Sequence, residues 1–138
     1  MVKKPVKVLL DTNVLISALI FGGKPEQTYN LVLDNQITAI TSTILLAELT
    51  ETLLKKFNFE SIRITQLERI IKKHFKIVYS SETFHIQKDE PDNRVLEASV
   101  EGECDYIVTG DKELLTLATF KKIKIVTANQ FLEILEEV

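Results

Sequence analysis

Short runs rich in β-branched residues alternate along this chain with longer segments whose apolar residues recur at helical spacing. The runs include KVLL at residues 7–10, ITAIT at 37–41 and KIKIV at 122–126. Such alternation is typical of α/β proteins, because neighbouring parallel strands need a helical crossover between them. We therefore predict an α/β fold with a central, mostly parallel sheet flanked by helices on both faces. No repeat, linker or low-complexity segment breaks the pattern, so residues 1–138 are predicted to form a single domain.

Turn and capping residues give approximate bounds for the predicted elements. Strands are predicted at residues 6–10, 36–42, 76–80, 105–111 (ending in a turn) and at the start of 122–138. Helices are predicted at residues 25–33, 44–57, 93–101, 112–120, within 58–75 and at the end of 122–138. Either Ser42 or Thr43 could cap the helix at 44–57, because both residue types are favoured at that position.

Polar side chains follow two of the predicted strands directly. Asp11, Thr12 and Asn13 interrupt the apolar sequence VLLDTNVLIS, and Asp111 follows another strand through Thr109 and a glycine. In open α/β sheets, ligands gather outside the carboxyl ends of the strands. Both aspartates are therefore predicted to lie at one crevice.

Two more acids lie at informative places on predicted helices. Asp92 follows a proline at the start of a helix, where it is either an N-cap or a ligand, and Asp111 has the same two interpretations. Glu48 lies in the apolar sequence LLAEL, near the core-facing side of its helix. A carboxylate held there needs a cation or a hydrogen-bond donor nearby, unless the side chain simply reaches solvent at the helix border.

Clustered carboxylates are the ligand set of hard cations such as Mg²⁺ and Mn²⁺. The two histidines, His74 and His85, have no cysteine partners and no zinc-ligand spacing. No glycine-rich phosphate loop and no convincing serine or cysteine nucleophile is present. The sequence therefore favours a magnesium or manganese site over a zinc site or a covalent mechanism.

The net charge and the number of cysteines exclude some classes of protein. The formal net charge of −3 argues against a protein that holds nucleic acid by bulk positive charge, although an enzyme with a metal-neutralised acidic site remains compatible. Cys104 is the single cysteine, so no intramolecular disulfide can form, a cytoplasmic location is predicted, and the thiol is expected to be buried and inert. The apolar runs are too short to span a bilayer, so no membrane association is predicted.

Four segments, LLDTNVLISAL, ILLAELTETLL, DEPDNRVLEAS and DYIVTGDKELL, together resemble the PIN-domain ribonucleases, most closely the bacterial and archaeal toxins of toxin–antitoxin pairs. They occur in the family's order over nearly the whole chain. The resemblance implies a single PIN-like domain whose catalytic and metal-binding acids are Asp11, Glu48, Asp92 and Asp111. It implies that Asn13 and Thr109 hold this cluster in place, and that Thr12 caps the helix after the first strand or bonds its backbone. Asn93 and Asp89 are further supporting residues. Asp89 belongs to the acid-rich sequence DEPDN, which can be aligned with the family pattern in more than one register.

The resemblance also implies an activity and partners. It implies an endoribonuclease that uses Mg²⁺ or Mn²⁺ to hydrolyse RNA phosphodiester bonds, leaving a 5′-phosphate and a 3′-hydroxyl. An RNA substrate, an antitoxin protein and a second copy of the chain are the implied partners. Relatives frequently carry an arginine after the Glu48 helix, where this chain has Lys55 and Lys56, and either lysine could act as a point charge. A catalytically silent scaffold that binds RNA or a protein partner is the alternative, and retention of all four acids favours the enzyme.

Residues 53–71 have two interpretations. Leu54, Phe57 and Phe59 precede a helix with basic residues opposite its apolar face of Ile64, Leu67, Ile70 and Ile71. The favoured interpretation is an amphipathic helix packed on the core with a solvated basic face. The second is a partner groove or an RNA-approach surface, and the apolar residues of this segment or of the C-terminal helix are candidates for a dimer contact.

Overall fold

A computed structural model describes residues 5–137. One six-stranded sheet is formed by β1 (Lys7–Leu10), β2 (Thr38–Ser42), β3 (Phe75–Val78), β4 (Tyr106–Val108), β5 (Thr119–Phe120) and β6 (Ile123–Val126). The helices within the described residues are α1 (Thr12–Ile20), α2 (Gly23–Leu33), α3 (Thr43–Lys56), α4 (Ser61–His74), α5 (Glu90–Glu101), α6 (Lys112–Leu117) and α7 (Ala128–Glu136).

The strand order across the sheet is β3-β2-β1-β4-β6-β5. All neighbouring strands are parallel except β5 and β6, which pair antiparallel at one edge. The predicted mostly parallel sheet is therefore confirmed. Since the chain builds outward from β1 in both directions, the strand order reverses between β1 and β4, which is where open α/β sheets form a ligand crevice.

Alternate residues of β1 pack on opposite faces of the sheet, as the two-residue period of a strand requires. Val8 and Leu10 belong to the core under α1, α2, α3, α4 and α7, whereas Leu9 belongs to the core under α5 and α6. The predicted helices on both faces are thereby confirmed. Each face has its own apolar core, and the rigid sheet between them fixes the ends of β1 and β4.

The helix predicted at residues 112–120 is wrong in its last turn. Helix α6 ends at Leu117, Ala118 adopts a left-handed backbone with φ of 61°, and Thr119 and Phe120 form the edge strand β5. A β-branched and an aromatic residue suit a strand, and here they pair with Ile123 and Lys124. Tertiary pairing thus overrides the local helical pattern.

The helix predicted to begin at residue 93 begins a turn earlier. Helix α5 starts at Glu90, with Asp89 at its N-cap position and Pro91 in its first turn. The N-cap interpretation of Asp92 is therefore wrong, since this residue lies inside the first turn. The N-cap of α3 is Ser42, whose hydroxyl accepts the Leu45 N–H at 3.2 Å.

The favoured interpretation of residues 53–71 is confirmed in its main features. Helix α4 buries Ile64, Leu67 and Ile71, whereas Ile70 is 39% exposed and the basic residues point outward. The Cys104 thiol is buried, and burial raises its pKa to about 12, which fits an unreactive residue. Within residues 5–137, no helix is both long and apolar enough to cross a membrane.

Candidate metal centre

The acids predicted at strand ends meet at the crevice between β1 and β4. Asp11 occupies the N-cap position of α1, and its N–H donates to the Val108 carbonyl at 3.0 Å, which ties the ends of the two strands together. Its side chain does not cap α1 and is 7% exposed. Thr12 is the first residue of the helix, so the expectation that its hydroxyl caps α1 is wrong.

Thr109 connects the acids of the two strands. Its fully buried hydroxyl donates to Asp11 Oδ2 at 2.7 Å and accepts the Asp111 N–H at 3.0 Å. Asp111 occupies the N-cap position of α6, where its Oδ1 accepts the N–H groups of Glu113 and Leu114 at 2.8 and 3.4 Å. Asp111 therefore does cap a helix, and it also faces the crevice.

Three carboxylates are close enough to share one cation. Asp89, Asp92 and Asp111 each offer an oxygen atom, and these atoms lie within 4.8 Å of one another. Asp89 and Asp92 come from the first turn of α5, while Asp111 comes from the end of β4. Asp89, which the sequence ranks only as a supporting residue, is thus a central member of the cluster.

The side chain of Asp92 is 5% exposed, and its Oδ2 finds no hydrogen-bond partner among residues 5–137. Burial, together with the charges of Asp111, Asp89 and Asp11, raises the pKa of this carboxyl to about 7. A buried carboxylate oxygen without a donor is unfavourable unless a cation neutralises it. This unpartnered oxygen is the observation that most directly indicates a metal ligand.

Asp11 and Glu48 complete the acidic pocket. They line it together with Asp89, Asp92 and Asp111. Burial raises the pKa of Asp11, against a lowering by the Thr109 hydrogen bond. Burial also raises the pKa of the half-buried Glu48, with the charges of Asp11 and Asp89 acting in the same direction and the Thr12 side chain lowering it. The four predicted acids therefore converge, and they provide only hard oxygen donors, which fits Mg²⁺ or Mn²⁺.

The two asparagines that were predicted to support the site differ in burial and in their contacts. Asn13 is exposed at the rim of the acidic pocket, and within the described residues no hydrogen bond joins it to a carboxylate, so its orienting role stays a prediction. Asn93 is fully buried and holds a loop instead: its Oδ1 accepts the N–H groups of Ile86 and Gln87 at 3.1 and 2.9 Å. That loop leads directly into Asp89.

Comparison with known proteins decides the family. The sequence profile of the PIN domain matches residues 7–113. The chain belongs to the PIN-domain ribonuclease family. This PIN domain is 30% identical over 150 aligned residues to the uncharacterized protein MJ1680 of Methanocaldococcus jannaschii, covering 99% of this chain and 96% of that protein.

Two solved structures share the fold of this PIN domain. One is VapBC2 from Rickettsia felis bound to a DNA fragment from their promoter, with a TM-score of 0.61 and 15% identity over 87% of this chain and 97% of that chain. The other is the PIN domain endonuclease Utp24, with a TM-score of 0.51 and 21% identity over 88% of this chain and 84% of that chain. At these identities the similarity concerns the fold.

One basic residue of this PIN domain reaches the acidic pocket. Lys56, at the end of α3, lines the pocket, whereas the ammonium group of its neighbour Lys55 lies 2.6 Å from Glu51 Oε1. The sequence left both lysines as candidates for the position of the arginine of the relatives. The structure separates them because successive helical residues point in different directions.

Sequence reasoning missed a partly buried ion pair behind the PIN-domain pocket. Glu97 is 7% exposed, and its Oε2 accepts from Arg94 Nη2 and from the Phe84 N–H, both at 2.8 Å. The i, i+3 spacing of the two charged residues on α5 was the available signal. The pair attaches the loop before α5 to the helix, and so it positions Asp89 indirectly.

Proposed function

We propose that this PIN domain is a Mg²⁺- or Mn²⁺-dependent endoribonuclease that hydrolyses RNA phosphodiester bonds at the acidic pocket. The observation that carries the proposal is the buried Asp92 carboxylate, whose Oδ2 has no hydrogen-bond partner among the described residues and whose neighbours Asp89 and Asp111 lie within 4.8 Å. Such a cluster is electrostatically unfavourable without a cation. The family membership gives the reaction class, and the fold is shared with the PIN domain endonuclease Utp24.

The side chains take distinct roles in this proposal. Asp92, Asp111 and Asp11, joined by Glu48 and Asp89, hold the metal. When bound, the ion supplies the positive charge that orients phosphate and activates water for hydrolysis. Thr109 fixes the direction of Asp11 through its 2.7 Å hydrogen bond, which is the kind of support that metal-ligating carboxylates need. Lys56 contacts the phosphate of the RNA at the rim.

A pair of glutamates on α3 provides the test. Glu48→Gln should reduce cleavage of single-stranded RNA by about 10- to 100-fold, the range in which loss of a supporting group lowers the activity of a metal site. Glu51→Gln is the matched control, because Glu51 is exposed, pairs with Lys55 and does not line the acidic pocket. Cleavage should stop in excess chelator and return with Mg²⁺ or Mn²⁺. Equal activity of the two variants, or activity in chelator, contradicts the proposal.

We further propose that the enzyme is the toxin of a toxin–antitoxin pair and forms a homodimer. Support comes from the resemblance to toxin PIN domains and from the fold shared with VapBC2 of Rickettsia felis. The dimer is supported by exposed apolar side chains in and around α3 and α4: Leu54, Phe57, Ile62 and Ile70. Expression of the chain should arrest growth, and Asp92→Asn should abolish the arrest. Sedimentation that shows a monomer at all accessible concentrations contradicts the dimer.

The alternative remains a catalytically silent scaffold that binds RNA or a protein partner. It predicts that RNA binds without being cut in Mg²⁺ or Mn²⁺ and that Asp92→Asn leaves binding unchanged. The retention of every acid in the pocket favours the enzyme, because a scaffold without a metal gains nothing from mutually repelling carboxylates. The cleavage assay above separates the two.

A further inference from the structure

A second groove lies at the amino ends of the parallel strands, whereas the acidic pocket lies at their carboxyl ends. It has a volume of about 710 Å³ and is bordered by the starts of β1, β4 and β6. Its basic lining residues are Lys7, Lys121, Lys122 and Lys124, and its acidic lining residues are Glu103 and Asp105. We call this feature the lysine groove.

Two of these lysines occupy a turn that disfavours them. Phe120 pairs with Ile123, so Lys121 and Lys122 form the two-residue loop of the β5–β6 hairpin. Both have a left-handed backbone, with φ of 48° and 70°. Positive φ at both positions defines a type I′ turn, for which Asn-Gly is the favoured sequence. Side chains other than glycine and asparagine are strained there, and such strain often marks a functional position.

The positive charges of the lysine groove are available to a ligand. Among residues 5–137, none of the four lysine ammonium groups belongs to an ion pair. Lys121 Nζ lies 5.4 Å from the centroid of the Phe84 ring, a cation–π distance, and the residue is exposed to solvent. Asp105 Oδ2 accepts the backbone N–H of Lys7 at 2.9 Å, so one oxygen of this carboxylate is already engaged within the protein.

We propose that the lysine groove binds the phosphate backbone of RNA, as a second site distinct from the acidic pocket. Naming RNA as the polyanion rests on the proposed function. The chain carries a net charge of −3 and gathers five acids at the carboxyl ends of the strands, so the substrate is repelled where it must be cut. Lysines about 13 Å away, along the four residues of β1, offset this repulsion. Lysine binds phosphate as a point charge and needs no fixed fork geometry.

The test measures RNA binding without cleavage. Fluorescence anisotropy of a labelled single-stranded RNA of mixed sequence is followed in excess chelator across a salt series. The variant Lys121→Gln/Lys122→Gln/Lys124→Gln should bind at least about tenfold more weakly at low salt. Its salt slope should fall by about 2, since each phosphate contact to a single strand contributes about 0.7. Lys24→Gln/Lys55→Gln/Lys76→Gln is the matched control, removing three exposed lysines from α2, α3 and β3.

A second variant separates binding from folding. Lys121→Asn/Lys122→Gly places the favoured type I′ sequence in the turn, so this protein should melt at a higher temperature than the wild type. It should nevertheless bind RNA more weakly, because two charges are lost. A folding defect cannot produce higher stability together with lower affinity.

Three outcomes overturn the proposal. One is equal loss of affinity in the groove variant and the control variant, which would mean that only overall charge matters. Another is unchanged affinity in both groove variants. The third is competition by polyglutamate as effective as competition by unlabelled RNA, which would assign the groove to an acidic polypeptide. Because binding is measured in chelator, failure of the proposed nuclease activity leaves this test interpretable.

Discussion

The Thr109 hydroxyl donates a 2.7 Å hydrogen bond to Asp11 Oδ2, although the two residues lie 98 positions apart in the chain. The same hydroxyl accepts the Asp111 N–H at 3.0 Å. One small side chain therefore joins two acids that follow different strands. It also opposes the effect of burial, which raises the pKa of Asp11.

Thr109→Val keeps the side-chain shape and removes this hydroxyl. Asp11 Oδ2 and the Asp111 N–H would then lack their shared partner, so the free energy of unfolding should fall by about 1–3 kcal/mol. The pH profile of cleavage should move to higher pH, since Asp11 loses the bond that favours its charged form. Thr109→Ser should restore both properties. Thr116→Val, at an exposed threonine bonded to the Lys112 carbonyl, should change stability by no more than about 0.5 kcal/mol.

Asp92 makes the stability of the metal-free protein depend on pH. Burial and the neighbouring carboxylates raise its pKa from 3.8 to about 7, so between these values the folded state holds a proton that the unfolded chain has released. The free energy of unfolding should therefore fall as the pH rises through this window. In chelator, Asp92→Asn should flatten the decline in melting temperature between about pH 4 and pH 7. Parallel declines in the two proteins would mean that another group is responsible.

Asp11→Asn separates a metal ligand from a structural aspartate. Without metal, removing one of the clustered charges should leave the melting temperature equal to or above that of the wild type. With Mg²⁺ or Mn²⁺ at a hundredfold excess over its dissociation constant, the wild type should gain about 2.7 kcal/mol and the variant distinctly less. Asp34→Asn, at an exposed residue after α2, is the control and should respond like the wild type. Identical metal responses in all three proteins would show that Asp11 is no ligand.

Lys56→Gln should weaken RNA cleavage about tenfold, corresponding to roughly 1.4 kcal/mol for one lost charge-assisted contact. The loss should appear in KM and should shrink at high salt, because a point charge at a pocket rim acts mainly on substrate binding. Lys55→Gln removes the same charge from the adjacent residue, which pairs with Glu51, and should leave cleavage nearly unchanged. Equal effects of the two substitutions would assign the contribution to the net charge of α3.

The strand-end acids could be predicted because their position follows from short-range patterns. A buried strand that ends in a polar residue places that residue at the sheet edge, and this holds for Asp11 and Asp111 alike. The close contact of Asp89 with the other acids could not be predicted in this way. Its place in the cluster depends on where α5 begins and on how the preceding loop is attached, and both depend on contacts between distant residues.

The edge strand β5 is likewise a feature that short-range sequence patterns could not predict. The segment KELLTLATF has helical periodicity to its end, and alanine favours helix, yet Ala118 adopts a left-handed backbone. Pairing of Phe120 with Ile123 supplies the energy for that exception. Sequence patterns report the preference of each residue for a local structure, and they do not report the partner that overrides it.

The loop before α5 is attached mainly to that helix. Asn93 accepts hydrogen bonds from Ile86 and Gln87, and Glu97 accepts one from Phe84. Opening these few bonds would withdraw Asp89 while Asp11 and Asp111 stayed fixed to the sheet. We therefore expect the approach of Asp89 to the other acids to have an opening rate of its own, separate from global unfolding. The amide protons of Ile86 and Gln87 should report that rate through their exchange with solvent, and a cation bound by Asp89 should slow it.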